Sequence, residues 1–195
     1  MSIGASSEAG SSTSRTLLDR VRELDPLAWR RLVHLYGPVV YGWCRRADLQ
    51  PHDASDVSQE VFQAVAHNIV RFRRERAGDS FRGWLRTITS NKIHDHFRAQ
   101  RQRIGSHAAI EEVPAPDPAS LDPQPTASDD LARRALELIQ TEFETRTWQA
   151  FLACTVAGRT AAEAAAELHM TVAAVHKAKY RVLHRLRNEL DGLLE

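Results

Sequence analysis

The sequence predicts an all-α protein with two small helical domains that a proline-rich acidic linker joins. Three observations support this prediction. Apolar residues recur at helical spacing in both halves of the chain, whereas no stretch of six residues alternates as a half-buried strand would. Five of the eight prolines fall between residues 114 and 125, inside the acidic stretch EEVPAPDPASLDPQPTASDD. That stretch has almost no large apolar side chain to contribute to a core, so it indicates a linker.

The chain is predicted to consist of four segments, one of which is this linker. We predict a disordered tail over residues 1–14, a first helical domain over 15–103, a flexible linker over 104–128 and a second helical domain over 129–195. Fully extended, about 25 linker residues would reach roughly 80 Å.

The composition is that of an ordinary soluble protein whose charges are segregated. The formal net charge of the 195 residues is +1, but residues 71–103 hold ten Lys or Arg against three acids, and residues 107–145 hold nine acids against two bases. No apolar run is long enough to cross a bilayer and the N-terminus has no secretory apolar region, so we expect a cytoplasmic protein without membrane insertion. The isolated Cys44 and Cys154 indicate neither a disulfide framework nor a metal site, and no cofactor is indicated.

Four helices are predicted in the first domain from its apolar runs. The first run contains Leu17, Leu18, Val21 and Leu24, and the second begins at Pro26 and continues through Trp29, Leu32, Val33, Tyr36, Val40 and Trp43. The third run contains Val57, Val61, Phe62, Val65 and Ile69. The fourth contains Phe81, Trp84, Leu85, Ile88 and Phe97. Each run forms one apolar stripe, so the four helices are expected to share one core.

A helix-turn-helix is predicted near the C-terminus. Thr160 and Glu163 fit a capping box that starts a helix running to about Leu168, and Thr171 fits the N-cap of a last helix that begins near Val172. One face of that last helix is apolar, and the opposite face carries His176, Lys177, Tyr180, Arg181, His184 and Arg185. A basic second helix of this kind suits a DNA major groove, and the small Ala173 and Ala174 would let the backbone approach base edges. The alternative is two core helices with a solvated basic surface.

Arginines and aromatic residues are interleaved between residues 71 and 86. Cations attract phosphates and aromatic rings can stack on unpaired bases, so this segment suits single-stranded nucleic acid. The aromatic members are Phe72, Phe81 and Trp84, and core packing is the alternative reading for Phe81 and Trp84.

The combination of these motifs resembles the extracytoplasmic-function (ECF) group of bacterial RNA polymerase sigma factors. DASDVSQEVFQAV (53–65), FRGWLRTITSNKIHDHFRAQRQR (81–103) and the C-terminal helix-turn-helix carry the resemblance, which covers nearly all of residues 20–190. The resemblance implies core RNA polymerase and promoter DNA as partners.

The resemblance also assigns roles to individual positions. It implies polymerase binding by Asp56, Gln59, Glu60 and Phe62. It implies contact with the minus 10 element by Arg71, Arg73, Arg74, Arg82, Trp84, Asn91, Lys92, Arg98 and Arg101. It implies contact with the minus 35 element by Thr171, Ala173, Ala174, His176, Lys177, Tyr180 and Arg181, within a recognition helix that extends to about Arg185.

Two positions depart from the family pattern. His169 stands in the interhelical turn where the family usually has glycine, so a left-handed backbone there would cost on the order of 1 kcal/mol. Ser55 stands where an acidic residue is common, and a phosphate on Ser55 would restore negative charge at a helix N-terminus. A Ser/Thr kinase is therefore one candidate regulatory partner, and an anti-sigma factor is another.

The sequence thus predicts a transcription initiation factor that binds core polymerase, directs it to both promoter elements and assists promoter melting. A stand-alone helix-turn-helix regulator that binds duplex DNA without polymerase is the alternative. We do not expect an enzyme, because the chain carries no phosphate-binding Gly-rich loop, no zinc-protease motif and no nucleophile elbow.

Overall fold

The computed structural model describes residues 16–73, 80–104, 121 and 126–193, except for the side chains of 103, 104 and 126–128. The described residues form the helices α1 (Leu17–Arg22), α2 (Pro26–Arg46), α3 (Pro51–Asn68), α4 (Phe81–Ile104), α5 (Thr126–Ile139), α6 (Thr145–Thr155), α7 (Ala161–Glu167) and α8 (Val172–Leu190). Short 3-10 turns follow α3 at Ile69–Arg71 and α5 at Gln140–Glu142. No strand occurs in the described residues, which confirms the all-α class. The predicted tail and most of the predicted linker lie outside the described residues.

Local capping signals fix the starts of the first two helices. Thr16 and Asp19 form a capping box at α1, and the Asp25 carboxylate accepts hydrogen bonds from the backbone N–H groups of Leu27 and Ala28 at 2.8 and 3.3 Å. Pro26 occupies the first turn of α2, where its missing N–H costs nothing. The predicted start of α2 at Pro26 is confirmed.

The first helix ends earlier than its apolar pattern predicts. The backbone N–H of Asp25 donates to the carbonyl of Arg20, and Leu24 takes a left-handed conformation with φ of 59°. This Schellman turn closes α1, and it leaves the Leu24 side chain 69% exposed. The assignment of Leu24 to the core stripe is wrong because the helix has already ended.

The main core lies between α1, α2, α3 and α4. Its largest fully buried side chains include Trp43, Tyr36 and Phe81. Leu131 and Ala135 of α5, Leu190 at the end of α8 and Leu193 in the turn after it join the same cluster. The two predicted domains therefore touch in this structure, and their boundaries stay predictions.

Two smaller apolar clusters hold α6, α7 and α8 together. Ala150, Ala164, Ala165, Val175 and Ala178 form one, and Ile139, Trp148, Phe151 and Val182 form the other. Alanines at the contacts allow the helices to approach closely, as a helix-turn-helix requires. Within the described ranges, every helix is either too short or too polar to cross a bilayer.

Candidate functional site

A groove of about 570 Å³ lies between α2 and α3 on the surface of the main core. α3 contributes Gln59 and Phe62, both predicted to bind polymerase, and α2 contributes the opposite wall. Gln59 is exposed, whereas Phe62 is 9% exposed and contacts Trp29 edge to face with ring centroids 6.3 Å apart. Phe62 thus forms the floor of the groove instead of projecting from the surface.

The α2 wall of this groove was missed by the sequence analysis. Trp29, Val33, Gly37 and Tyr41 line it at intervals of four residues, which is one ridge of an α-helix. The same spacing was visible in the sequence, but Trp29 and Val33 were assigned to the core together with Tyr36 and Val40. α2 therefore carries two apolar stripes, one buried and one facing the groove.

Asp56 and Glu60 on α3 are exposed and weakly paired. The Asp56 carboxylate lies 3.1 Å from His52 Nδ1, and the Glu60 carboxylate lies 3.3 Å from Lys92 Nζ on α4. Exposed ion pairs contribute little free energy, so both carboxylates can exchange partners. Glu60 and Lys92 were assigned to different ligands, polymerase and DNA, and here they contact each other.

The three aromatic residues of the basic segment pack together. Phe72 and Trp84 have ring centroids 4.9 Å apart, and Phe81 lies 5.8 Å from Trp84 and 5.9 Å from Phe72. Phe72 and Phe81 are buried and Trp84 is half-buried. The core reading therefore applies to Phe81. Phe72, which was expected to face nucleic acid, is buried too, and of the three rings only that of Trp84 is partly exposed to solvent.

The arginines beside this cluster are divided between surface and interior. Arg71 and Arg73 are exposed, and Arg73 Nη1 donates to the backbone carbonyls of Val70 and Phe72 at 2.6 and 3.0 Å. Arg82 is half-buried on the first turn of α4. Arg74 and Arg76 lie outside the described residues.

Polar side chains continue along α4. Asn91, Arg98 and Arg101 are exposed and Lys92 is half-buried. The separations of seven residues from Asn91 to Arg98 and three from Arg98 to Arg101 place these three residues along one side of the helix. The structure therefore brings these predicted DNA contacts onto one surface.

Two helices joined by a short turn, α7 and α8, occupy the position of the predicted helix-turn-helix. Thr160 and Glu163 build the capping box of α7, with Glu163 N–H donating to Thr160 Oγ1 at 3.2 Å, and Thr171 Oγ1 accepts from the N–H of Ala174 at 3.1 Å to cap α8. His169 has φ of 50°, and the N–H of Met170 donates to the Ala165 carbonyl at 2.9 Å. This is the left-handed Schellman turn that usually employs glycine.

The N-terminal half of α8 presents the predicted DNA-reading side chains to solvent. Exposed members are Thr171, Ala173, His176, Lys177, Tyr180 and Arg181, and Ala174 is half-buried. Tyr180 is 67% exposed and stacks on His184 with the rings 3° from parallel. Among the described residues, neither Lys177 nor Arg181 has a recorded ion pair or hydrogen bond from its side chain. Both cations are therefore available to phosphates.

Arg185 does not belong to this exposed basic face. Its Nε donates to Glu142 at 2.7 Å and its Nη1 lies 2.7 Å from Glu189. The hydrogen bonds to these two carboxylates outweigh burial and raise the pKa of the Arg185 guanidinium. The prediction that the DNA-facing side of α8 includes Arg185 is wrong, because that turn of the helix faces α2 and the turn at Gln140–Glu142.

Comparisons with known proteins show first the class of protein to which this chain belongs and then its family. Residues 32–103 match the family model of sigma-70 region 2, so the chain contains the conserved helical region of the sigma-70 class. ECF RNA polymerase sigma factor ShbA of Streptomyces griseus is 32% identical over 179 residues, with 88% of this chain and 92% of the relative aligned. The chain belongs to the ECF RNA polymerase sigma factors, a family of transcription initiation factors and not of enzymes.

Two further proteins are similar to this chain, one over a smaller share of the relative's length and the other with low structural agreement. ECF RNA polymerase sigma factor SigE of Mycolicibacterium smegmatis is 30% identical over 171 residues, which cover 84% of this chain but 62% of that relative's length. The solved structure of CnrH in complex with the cytosolic domain of CnrY aligns over 90% of this chain and 95% of that one, at 25% identity and a TM-score of 0.37. We base no argument on that structural alignment.

Proposed function

We propose that this chain is a transcription initiation factor that binds core RNA polymerase and directs it to promoters with a minus 35 and a minus 10 element. The observation that carries the proposal is the coexistence of a sigma-70 region 2 match and a helix-turn-helix with exposed cations that form no ion pair among the described residues. Polymerase binding places its action in the cytoplasm.

The groove between α2 and α3 is the proposed polymerase-binding surface. It combines an apolar floor of Phe62 and Trp29 with the exposed Gln59. The exposed Asp56 and Glu60 lie on the same helix, outside the lining of the groove. An apolar centre with a polar rim is the usual anatomy of a protein interface. Exposed carboxylates elsewhere on α3 favour a basic partner surface and raise the rate of association.

The proposed DNA contacts lie on two separate helices. α4 offers Asn91, Arg98 and Arg101 to the minus 10 element, and α8 offers Lys177 and Arg181 to the minus 35 element. Phosphate attraction by these cations gives affinity, whereas base contacts from α8 within a major groove give sequence specificity. Arg73 and the exposed part of Trp84 are placed to hold a separated strand.

Co-purification with core polymerase tests the proposal. The double variant Gln59→Ala, Glu60→Lys should weaken core binding by about tenfold, which corresponds to about 1.4 kcal/mol. Glu137→Lys is the matched control, because Glu137 is equally exposed but lies on α5. Wild-type chain that binds promoter DNA in a gel shift but never elutes with core polymerase would contradict the proposal and indicate a stand-alone regulator.

A further inference from the structure

The last residue of α1 contacts the backbone near the start of the basic segment. Arg22 Nη2 donates to the carbonyl oxygen of Phe72 at 3.3 Å, across 50 residues of sequence. The central carbon of the Arg22 guanidinium also lies 5.9 Å from the centre of the Phe72 ring, within the range of a cation–π contact. One side chain of α1 therefore holds both the backbone and the ring of Phe72.

The Phe72 carbonyl lies where regular structure stops. The 3-10 turn ends at Arg71, and Phe72 has an extended backbone with ψ of 120°. The same carbonyl accepts a second hydrogen bond, from Arg73 Nη1 at 3.0 Å. Because a carbonyl oxygen has two lone pairs, it can accept from both guanidinium groups. The two bonds together restrain the peptide unit through which the chain leaves the core.

Arg22 is itself held in place from within α1. Its Nη1 donates to one oxygen of the Asp19 carboxylate at 2.9 Å, and the other oxygen accepts from the backbone N–H and the hydroxyl of Thr16 at 3.4 and 2.8 Å. The hydrogen bond from the Thr16 side chain is the main reason that the pKa of the Asp19 carboxyl lies below its usual value, and Arg22 lowers it further. The capping box of α1 thus extends to Arg22.

These contacts require an arginine and not only a positive charge. The Arg22 side chain is 28% exposed, and its Nε is buried without a hydrogen-bond partner among the described residues. An unpaired buried N–H is unfavourable, so the contacts of the two terminal nitrogens have to offset it. A planar guanidinium can serve a carboxylate, a carbonyl and a ring face at once, whereas a lysine ammonium is a point charge on a flexible stem.

Phe72 connects Arg22 to the partly exposed ring of Trp84. The centroids of the Phe72 and Trp84 rings are 4.9 Å apart, and Phe72 is 6% exposed within the main core. Phe81 closes the cluster, 5.9 Å from Phe72 and 5.8 Å from Trp84. Since side chains in a core are closely packed, a displacement of Phe72 also displaces Trp84.

We propose that Arg22 is a positioning residue for promoter melting, which through Phe72 holds Trp84 and the start of the basic segment in the arrangement that receives a separated strand. This proposal rests on the proposed function. The match to sigma-70 region 2 begins at residue 32 and does not include α1. Arg22 acts on the separated strand through Phe72 and Trp84, without touching DNA.

The kinetics of strand opening test this role in the full chain bound to core polymerase. Arg22→Met keeps an unbranched side chain but removes the charge and the donors, whereas Arg22→Lys keeps the charge. A fluorescent base analogue in the minus 10 element reports opening over a range of polymerase concentrations, which separates initial binding from the opening step. We expect both variants to lower the opening rate constant by about tenfold, the lower end of what a hydrogen bond to a charged group contributes, with initial binding unchanged.

Arg45→Met is the matched control. The Arg45 side chain likewise donates to a backbone carbonyl, that of Leu49 at the end of α2. The variant therefore removes the same charge and the same kind of hydrogen bond from the main helical core, and it should open promoters at the wild-type rate. Helical circular dichroism shows that each variant is folded, and Arg22→Lys alone decides if Arg22→Met does not fold.

Fluorine NMR of chain labelled with fluorinated tryptophan tests the positioning directly, without polymerase or DNA. The chain has four tryptophans, and loss of a resonance in Trp84→Phe assigns the one that matters. We expect the Trp84 resonance to shift or broaden in Arg22→Met and Arg22→Lys and to stay unchanged in Arg45→Met.

The possible results separate this proposal from simpler roles for Arg22. Wild-type opening by Arg22→Lys would overturn the proposal, because charge alone would then suffice. Weaker initial binding with an unchanged opening rate, equal slowing by Arg45→Met, or an unchanged Trp84 resonance in both Arg22 variants would overturn it too. Failure of the wild type to open any promoter with core polymerase would instead refute the proposed function, and the fluorine spectra would still show whether Arg22 positions Trp84.

Discussion

Replacement of His169 with glycine should stabilise the protein, because it relieves the left-handed backbone in the turn between α7 and α8. The φ of His169 is 50°, and its side chain is exposed, so the substitution sacrifices little packing. A non-glycine residue in this conformation costs about 1–2 kcal/mol. Glycine loses about 0.5–1 kcal/mol more backbone entropy on folding. The net gain is therefore about 0.75 kcal/mol, the middle of a range of about 0–1.5 kcal/mol.

Thermal unfolding followed by circular dichroism measures this gain. For a chain of this size a stabilisation of 1 kcal/mol raises Tm by about 2–4 °C, so we expect His169→Gly to raise Tm by roughly 1–4 °C. His169→Ala is the control, because it removes the imidazole but keeps the Cβ that makes the conformation unfavourable. An equal rise for alanine and glycine would refute the reasoning. Minus 35 affinity should be unchanged in His169→Gly, since the turn already has the geometry that glycine favours.

Four further predictions concern binding, melting, regulation and thiol chemistry. Lys177→Ala and Arg181→Ala should weaken minus 35 binding in a fluorescence titration, by about 1–3 kcal/mol for a lost bidentate base contact, without changing core-polymerase affinity. Arg73→Ala should reduce open-complex formation on duplex promoters more than on a pre-melted bubble, measured by permanganate footprinting, because the bubble already has its bases unpaired. Phosphate on Ser55, or Ser55→Glu, should tighten core binding through negative charge near the N-terminal end of α3. Burial raises the pKa of the Cys44 thiol to about 11, so Cys44 should resist a thiol-specific reagent at pH 8 in the folded protein and react after unfolding.

Each of these predictions has an outcome that contradicts it. Arg133→Ala, at an exposed site on α5, is the control for the recognition-helix variants. If Lys177→Ala and Arg181→Ala reduced DNA binding and polymerase binding equally, the loss would indicate unfolding instead. If Arg73→Ala reduced open-complex formation equally on the duplex and on the pre-melted bubble, Arg73 would contribute only general attraction to phosphates. Kinase-treated wild type that gains nothing over Ser55→Ala would remove the phosphorylation hypothesis. Modification of Cys44 at the same rate in folded and unfolded protein would contradict its burial.

Features that depend on neighbouring residues could be predicted from the sequence. The capping box of Thr160 and Glu163, the N-cap at Thr171 and the start of α2 at Pro26 each involve groups within three residues, so their sequence signals are nearly complete. The buried stripe of α8 followed from helical periodicity in the same way.

Features that depend on residues far apart in the sequence could not be predicted from it. The partners of Arg185 are Glu142, 43 residues away, and Glu189, which itself meets Arg31 across 158 residues of sequence. Periodicity placed Arg185 on the polar side of α8 but contained no information on what that side would face. The burial of Leu121 could likewise not be predicted, because a single apolar side chain in a proline-rich segment gives no periodic signal.

Transcription in vitro with core RNA polymerase tests the central claim most directly. The purified chain, core polymerase and a pool of genomic promoter fragments would be incubated with nucleotides, and the 5′ ends of the transcripts would be sequenced. The account predicts new start sites that appear only when the chain is added, with shared motifs near minus 35 and minus 10, and their loss in Lys177→Ala, Arg181→Ala. A transcript pattern identical with and without the chain, although it binds the same DNA, would contradict the assignment as an initiation factor.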